Sequence, residues 1–226
     1  MKRILVAVAC LLLSACTAVS SQTAVKEAIR TPQPNSKVLL VGPDVQLAVL
    51  TASGIQEPRA DWNAQGRDGI ADELTRMLTD KTHPVEALDA IQTTEGRAGQ
   101  LLRLNEAVGQ SILAGYGVLP TKKGSFDWTL GEGATVIAAD RSAEYALFVT
   151  ARGTYASAGR KAMFLAVAAL GVGIPLGNQV VYASLVDLKT GRVVWFNIAL
   201  AGPSADMRTR EGASALVKSL MKDVPL

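Results

Sequence analysis

Short apolar runs along the chain predict a series of strands. Val38–Val41 and residues 45–50 are apolar runs separated by Gly42-Pro43-Asp44, which predicts two strands with a break between them. A short strand is also predicted around Val85. Residues 145–151 are almost continuously apolar, as expected for a central strand covered on both faces.

A β-hairpin is predicted near the C-terminus. Residues 179–188 and 192–198 are strand-like and flank Lys189-Thr190-Gly191, where glycine can supply the positive φ of the turn. This hairpin precedes the last helical pattern of the chain. The sequence therefore predicts that the fold closes with a hairpin followed by a helix.

Three further segments repeat apolar residues at helical spacing, so each predicts a helix with one buried face. The first ends near Asp80, the second covers about residues 94–115, and the third covers about residues 209–223. Their apolar stripes are, in chain order, Ile70, Leu74, Met77 and Leu78; Leu101, Leu104, Val108 and Ile112; and Ala213, Leu216, Val217 and Leu220.

The order of these elements predicts the fold class. Strands alternate with helices, and no unit repeats along the chain, which favours one α/β (α+β) domain. We expect a single mixed β-sheet flanked by helices, with a C-terminal β-hairpin followed by a helix. This globular domain is expected to span residues 37–226 and to contain an apolar insert at residues 162–177.

The N-terminus predicts a secretion signal and a lipid anchor. A basic Met1-Lys2-Arg3 precedes an apolar stretch that is too short to span a membrane. The sequence Leu13-Ser14-Ala15-Cys16 then resembles the lipobox of bacterial lipoproteins, which implies removal of residues 1–15 and attachment of fatty acyl chains such as palmitate to Cys16. The alternative is an ordinary signal peptide cut elsewhere. Thr17 follows the cysteine where Asp would favour inner-membrane retention, so the resemblance implies the outer membrane.

Removal of the signal changes what composition implies. The chain holds 23 basic and 20 acidic residues, and loss of Lys2 and Arg3 leaves 21 against 20, so no basic excess favours nucleic acid. Cys10 leaves with the signal and Cys16 is expected to be lipidated, so disulfides and cysteine nucleophiles are not expected. His83 is the single histidine, which excludes a zinc site built from several histidines. Residues 16–36, rich in Ser, Thr, Gln and Pro, are expected to form a flexible tether.

The apolar insert at residues 162–177 has no polar side chain. Sixteen helical residues would span about 24 Å, which is short of the roughly 30 Å hydrocarbon core of a bilayer. Three interpretations remain open: a buried crossing between two strands, an exposed element that meets a partner or a second copy, or insertion into the membrane. The candidate interaction residues in it are Met163, Phe164, Leu165, Val167 and Leu170.

Catalytic motifs are not recognisable in the sequence, and we predict no catalytic, cofactor-binding or metal-ligating residues. Arg152, Tyr155 and Arg160 surround the entrance to the insert, where they could bind an anion or simply satisfy the chain ends. Asp61 is expected to cap the first helix and Trp62 to anchor it, and a binding site at this pair is the alternative. His83 is expected in a surface loop.

Several stretches of the body are shared with other proteins. They are PDVQL at 43–47, EPRADW at 57–62, AEYALF at 143–148, YASAGR at 155–160, YASLVD at 182–187 and VWFN at 194–197. With these, the body resembles a group of uncharacterised proteobacterial outer-membrane lipoproteins. The order of elements more distantly resembles the N-terminal domain of TolB and CsgG-like periplasmic domains. That resemblance implies action through protein contacts in envelope assembly or transport.

Together these observations favour an outer-membrane lipoprotein that faces the periplasm. Its body is expected to act as a protein-binding or scaffolding module, with a membrane contact through Cys16, an envelope protein partner or self-association, and no nucleic acid. The alternative is a small-ligand-binding protein or hydrolase whose site no motif reveals. A deep polar pocket would favour the alternative, and an exposed insert with a shallow surface would favour the scaffold.

Overall fold

The structure is a computed structural model that describes residues 20–23, 32–115, 119, 125–139, 141–201 and 206–226. Its strands are β1 (Ser20–Thr23), β2 (Val38–Val41), β3 (Asp44–Leu50), β4 (Gln56–Pro58), β5 (Val85–Leu88), β6 (Tyr145–Ala156), β7 (Gln179–Asp187) and β8 (Val193–Ala201). Its helices are α1 (Ala60–Asp80), α2 (Gly96–Gly115), α3 (Ala158–Ala168) and α4 (Arg210–Leu220), with a 3-10 helix at Glu132–Ile137. The predicted signal peptide and Cys16 lie outside the described residues.

The long strand β6 is the axis of a mixed eight-stranded sheet. On one side it pairs with β7, antiparallel, and β7 pairs with β8. On the other side its first half pairs with β2 and its second half with β3, both parallel. The break at Gly42-Pro43 therefore lets two consecutive short strands follow one long neighbour. The predicted mixed sheet, flanked by helices and ending in a hairpin and a helix, is confirmed.

Each face of the sheet is covered by its own helices. Alternate residues of β6 point to opposite faces, so Leu147 packs beneath α1 and α4 whereas Phe148 packs beneath α2 and the 3-10 helix. Close packing of α2 depends on Gly109, because a Cβ there would lie only 2.6 Å from the ring of Tyr182. The two cores use the apolar stripes predicted for α1 and α4 and most of the stripe predicted for α2. The prediction is wrong for Leu104, which is 43 % exposed.

Part of the predicted tether forms a strand at the edge of the sheet, beside β8. Residues 16–36 were expected to be flexible, yet Ser20–Thr23 pair with β8 as an antiparallel strand, Ser20 opposite Leu200 and Thr23 opposite Asn197. An unpaired strand edge offers a row of free N–H and C=O groups to any extended segment nearby. Polar composition thus did not prevent these residues from joining the sheet.

Two local predictions are wrong. The N-cap of α1 is Arg59, without a side-chain cap, and Asp61 lies inside the first turn, where its carboxylate pairs with the Arg59 guanidinium. His83 is buried rather than in a surface loop, with its Nδ1 2.9 Å from the carbonyl oxygen of Ser36. The carbonyl of Ser36 lies 47 positions before His83, so the contact that holds His83 has no signal in the local pattern.

The turn of the β7–β8 hairpin matches its sequence pattern. Gly191 adopts φ 71°, a conformation open to glycine without strain, and its N–H donates to the carbonyl of Asp187. This turn lies at the end of the sheet opposite to the point where β6 finishes. Among the described residues, no helix combines the length and the apolar character that crossing a bilayer requires.

Candidate functional site

The apolar insert forms an arm at the C-terminal end of β6. It begins with α3, turns at residues 169–171, and returns in extended form along residues 172–178 to β7. Gly171 has φ 79°, which makes the turn possible at the far end of the arm. None of the eleven residues of α3 is buried, and no residue of the insert belongs to either core. The arm therefore stands outside the packed body.

Hydrogen bonds close the base of the arm. The Ser157 hydroxyl accepts from the Arg160 N–H at 3.1 Å and so caps α3. The Arg160 guanidinium donates from Nε to the carbonyl of Pro175 at 2.9 Å, which joins the outgoing helix to the returning strand. The N–H of Ala156 donates to Leu176, extending this link into the sheet. Hydrogen bonds from polar groups thus fix the base of the arm to the sheet, while the rest of the arm carries no polar side chain.

The exposure of the arm decides between the interpretations of its sequence. Leu170 at the turn is 80 % exposed, Leu165 is 69 % exposed, Val172 is 52 % exposed and Met163 is 44 % exposed, while Phe164 and Val167 are intermediate. The interpretation of the apolar insert as a buried crossing between two strands is therefore wrong. In the described residues, helices cover both faces of the sheet beside β6, and the arm packs into neither core.

A second exposed apolar side chain lies near the base of the arm. Ile55, 63 % exposed, belongs to the loop between β3 and β4. Arg160 reaches this loop by donating to the carbonyl of Ala52 at 3.4 Å, and a Cβ at Gly54 would lie 3.5 Å from the same guanidinium. The loop and the arm therefore occupy the same end of the molecule.

The three predicted polar residues at the entrance do not form one site. Arg152 and Tyr155 lie on opposite faces of β6 because their positions differ by an odd number. Arg152 donates to Asp44 at 2.5 Å and to Glu106 at 3.0 Å, so its charge is already paired. Arg160 is used at the base of the arm. The expectation of a shared anion site is not supported by this arrangement.

Tyr155 instead belongs to a cluster that the sequence patterns did not reveal. Its ring meets Trp62 edge to face at 5.7 Å, and the Arg208 guanidinium carbon lies 3.9 Å from the Tyr155 centroid and 4.3 Å from the Trp62 centroid. Arg59 lies 4.4 Å from the Trp62 centroid. We call Arg59, Trp62, Tyr155 and Arg208 the arginine–aromatic cluster. Arg59 and Trp62 are neighbours in the sequence, but Tyr155 and Arg208 are remote from them and from each other, so only folding brings the four together.

Carboxylates hold the two guanidiniums of this cluster in place. Asp61 pairs with Arg59 and Asp206 pairs with Arg208, each at 2.6 Å. Burial alone would raise the pKa of Asp206, but hydrogen bonds from Arg208 outweigh it and hold that pKa below its ordinary value. Arg59 and Asp61 remain largely exposed, so the outer edge of the cluster is accessible to solvent.

The Tyr155 hydroxyl faces inward. Burial, together with the negative charge of Asp206, raises the pKa of Tyr155, so the hydroxyl stays protonated. It lies 2.5 Å from Oε1 of Gln179 and accepts from the N–H of Met207 at 3.1 Å. These bonds lock the ring that Arg208 covers, so the inner part of the cluster is rigid.

A cleft of about 250 Å³ opens beside the break between β2 and β3. Among its lining residues are Pro43, Asp44, Arg67, Asn105 and Glu106. Pockets for drug-sized ligands usually measure about 300–1,000 Å³, so this cleft is small. Within the part of the chain that the structure describes, no group of three metal-ligating side chains occurs.

Comparison with known proteins gives no family. No family model and no curated protein matches the chain. Solved structures with a similar chain path include the PelC dodecamer from Paraburkholderia phytofirmans, at 14% identity, TM-score 0.40, and coverage of 92% of this chain and 96% of that chain. A variant of PelC gives 13% identity, TM-score 0.41, and coverage of 92% and 98%. A DUF4136 family protein from Bacteroides thetaiotaomicron gives 13% identity, TM-score 0.37, and coverage of 93% and 97%.

These structural neighbours come from bacteria, and no functional statement about this chain follows from similarity at this level. The resemblance to TolB and CsgG-like domains stays a prediction. The arm lies outside both cores, whereas in the arginine–aromatic cluster Tyr155 belongs to the core beneath α1 and α4, and Trp62 packs against that core.

Proposed function

We propose that this chain is a lipoprotein of the bacterial outer membrane whose body faces the periplasm and acts as a protein-binding or scaffolding module. The lipobox-like sequence ending in Cys16 supports the anchor. The single observation that carries the binding role is the arginine–aromatic cluster, whose accessible outer edge, at Arg59 and the half-buried Trp62, presents residue types on which protein contacts depend most.

Trp, Tyr and Arg are enriched among the residues that contribute most to protein–protein affinity. In this chain Trp62 lies between two guanidiniums, each oriented by its own carboxylate. Such fixed side chains lose little conformational entropy when a partner binds. The cluster therefore fits a contact surface better than it fits a catalytic site, since its charges are paired and its tyrosine is kept protonated.

The cleft supports a second candidate function, the binding of a small ligand. Asp44 and Glu106 line the cleft and both pair with Arg152, and Gln110 donates to the Tyr182 hydroxyl at 3.3 Å. Burial raises the pKa of Tyr182, so this hydroxyl is a neutral hydrogen-bonding group. The small volume of the cleft limits such a ligand to a few polar atoms.

The proposed binding role is tested by crosslinking the full-length protein in its own membranes and isolating the adducts. Arg59→Ala removes one guanidinium from Trp62, and Arg76→Ala is the matched control, an exposed, ion-paired arginine on α1 that touches no aromatic ring in the described structure. We expect one defined protein adduct with the wild type and with Arg76→Ala. A hot-spot loss of about 2 kcal/mol in Arg59→Ala would weaken the contact roughly thirtyfold. Recovery of the monomer alone, or equal adducts from both variants, would contradict the proposal.

A further inference from the structure

We propose that the arm, residues 162–177, enters the near leaflet of the membrane that holds Cys16, as a second contact of the chain with lipid. This inference rests on the proposed lipid anchor and names what covers the arm. It starts from composition, because all sixteen residues of the arm are apolar or glycine. The exposed side chains Met163, Leu165, Leu170 and Val172 all belong to this segment.

Polarity in this arm changes along its length rather than across it. Arg160, Lys161 and Asn178 are at the base, whereas Leu170 lies at the turn. A helix that meets a single protein surface carries one apolar face and one polar face, whereas a helix that is apolar all round is surrounded by apolar material. A polar base and an apolar end match an element inserted from the interface, with Lys161 able to reach the headgroups.

The length of the arm fits one leaflet. The seven residues of α3 that belong to the arm, 162–168, extend about 10 Å, which is less than half of the roughly 30 Å hydrocarbon core. Because α3 is helical, its backbone N–H and C=O groups bond within the helix, which removes the main cost of placing that part of the arm in lipid. Residues 172–178 are not helical, so their backbone groups need water or headgroups, and this limits the arm to the interfacial side of the leaflet. The arm is therefore able to enter the membrane without crossing it.

Sheet register places the lipid anchor beside the arm. Gln179, two residues after the arm, pairs with Ala201, and the neighbouring Leu200 pairs with Ser20 of β1. Ser20 thus lies at the same end of the sheet as the arm. Cys16 precedes Ser20 by four residues, which reach at most about 14 Å.

The strand that follows the lipid anchor and the strand that leads into the arm are also close to each other across the sheet. Strands β1 and β6 are three neighbours apart in the order β1-β8-β7-β6, a distance of about 14 Å at the usual strand spacing. One membrane plane can therefore meet the lipid on Cys16 and the arm together. The exposed side chain of Ile55 and the 43 % exposed side chain of Leu200 lie at this end as well. A second copy of the chain would cover one side of the arm only, whereas lipid covers every side.

The mature chain offers a clean experiment because it should contain no cysteine except the lipidated Cys16. Ala169→Cys puts a thiol at the turn of the arm, and Lys189→Cys puts one in the β7–β8 turn at the opposite end of the sheet. Each is labelled with an environment-sensitive fluorophore in the lipidated full chain, reconstituted in phosphatidylethanolamine–phosphatidylglycerol vesicles. We expect the Ala169 label to shift to the blue and to be quenched by spin-labelled lipids, with no change for the Lys189 label.

Other occupants give different results. A water-like Ala169 label in vesicles overturns the proposal, and so does a label that is shielded without vesicles as the protein concentration rises, since that indicates a second copy. The mass of the mature N-terminus reports the lipid on Cys16 separately. A lipidated chain with a water-exposed arm would contradict this inference and leave the anchor standing.

The affinity of the arm itself is measured on the full chain carrying Cys16→Ser, by flotation with the same vesicles. We expect reversible binding that falls at least about tenfold when Leu165→Asp and Leu170→Asp are combined. The matched control is Ile91→Asp, which changes a side chain that is 60 % exposed but lies outside the arm. Equal binding of the double variant and the control would overturn the proposal, because the loss would then come from acidic charge on an exposed site and not from the apolar side chains of the arm.

Discussion

Strand β6 and the arm that follows it are two apolar segments with opposite fates. Residues 145–151 are buried on both faces of the sheet, whereas the arm at residues 162–177 has no buried residue in its helix. The two segments are similar in hydropathy and close in sequence. An apolar run therefore predicts that its side chains will be covered by apolar material. The position of the run in the topology decides whether the folded body itself provides that cover.

Backbone hydrogen bonding explains how the arm can remain outside. A strand such as β6 needs neighbours for its N–H and C=O groups and finds them in β7, β2 and β3. Helix α3 satisfies these groups within itself and is capped by Ser157. An apolar helix can therefore leave the sheet and keep its structure until another surface, which we propose is lipid, covers it.

The largest difference between the two segments is expected in their contributions to stability. Leu147→Ala empties a fully buried site in β6 and should lower the free energy of unfolding by about 2–5 kcal/mol. Leu165→Ala truncates a side chain of the arm that is mostly exposed, so the change should stay within about 0.5 kcal/mol. Urea unfolding of the Cys16→Ser chain without membranes measures both. Similar losses would mean that the arm packs on the body after all.

A smaller difference is expected between two helix caps of the same kind. The Thr209 hydroxyl accepts from the N–H of Gly212 at 3.1 Å, and the Ser157 hydroxyl accepts from the N–H of Arg160 at 3.1 Å. Thr209→Ala should cost about 1 kcal/mol because α4 is part of a core. Ser157→Ala should leave global unfolding almost unchanged and speed amide hydrogen exchange at Arg160, because α3 can open by itself.

Hydrogen exchange followed residue by residue distinguishes local from global opening in both variants. If Ser157→Ala lowered the global free energy of unfolding as much as Thr209→Ala, the arm would unfold together with the core. In that case the contrast between an independent arm and a cooperative body would be wrong.

The sequence predicted much of the sheet and its helices because their patterns are local. The apolar run of β6, the stripe on α1 that includes Ile70 and Leu74, and the glycine of the hairpin turn each specify structure within a few residues. The sequence also predicted the break at Gly42-Pro43. It did not predict the consequence of this break, which is that β2 and β3 both pair with β6. Pairing between distant strands depends on the whole sheet and has no local signal.

The candidate sites were less accessible to sequence reasoning. Trp62 and Arg208 lie far apart in the chain and meet only because α1 and the segment before α4 cover the same face. Ser20 gave no sign of a strand, since the residues that follow it, 21–23, are polar and its partner Leu200 is remote. The arm was found as an apolar run, but its exposure depends on which faces of the sheet other helices had already covered.

The response to acid should give the smallest and most specific difference between the body and the arm. Hydrogen bonds from Arg208 hold the pKa of Asp206 below its ordinary value, so the folded state binds a proton less readily than the unfolded chain. The stabilisation by this carboxylate is therefore present above its unfolded pKa of about 3.9 and is lost as pH falls through the lower folded value.

Asp206→Asn should accordingly reduce the stability of the wild type above about pH 5, and the gap should close as pH falls below about 4. Some acid sensitivity will persist in both chains, because the pKa values of Asp61 and Glu73 are also lowered by their arginine partners. The control is Leu165→Ala, since the arm holds no titratable side chain and its variant should follow the wild-type profile. Urea unfolding between pH 2 and pH 6 measures the three curves. A constant gap between the wild type and Asp206→Asn would show that the carboxylate is not coupled to Arg208 in the folded state, and a shifted Leu165→Ala profile would show that the arm contacts the titrating part of the body.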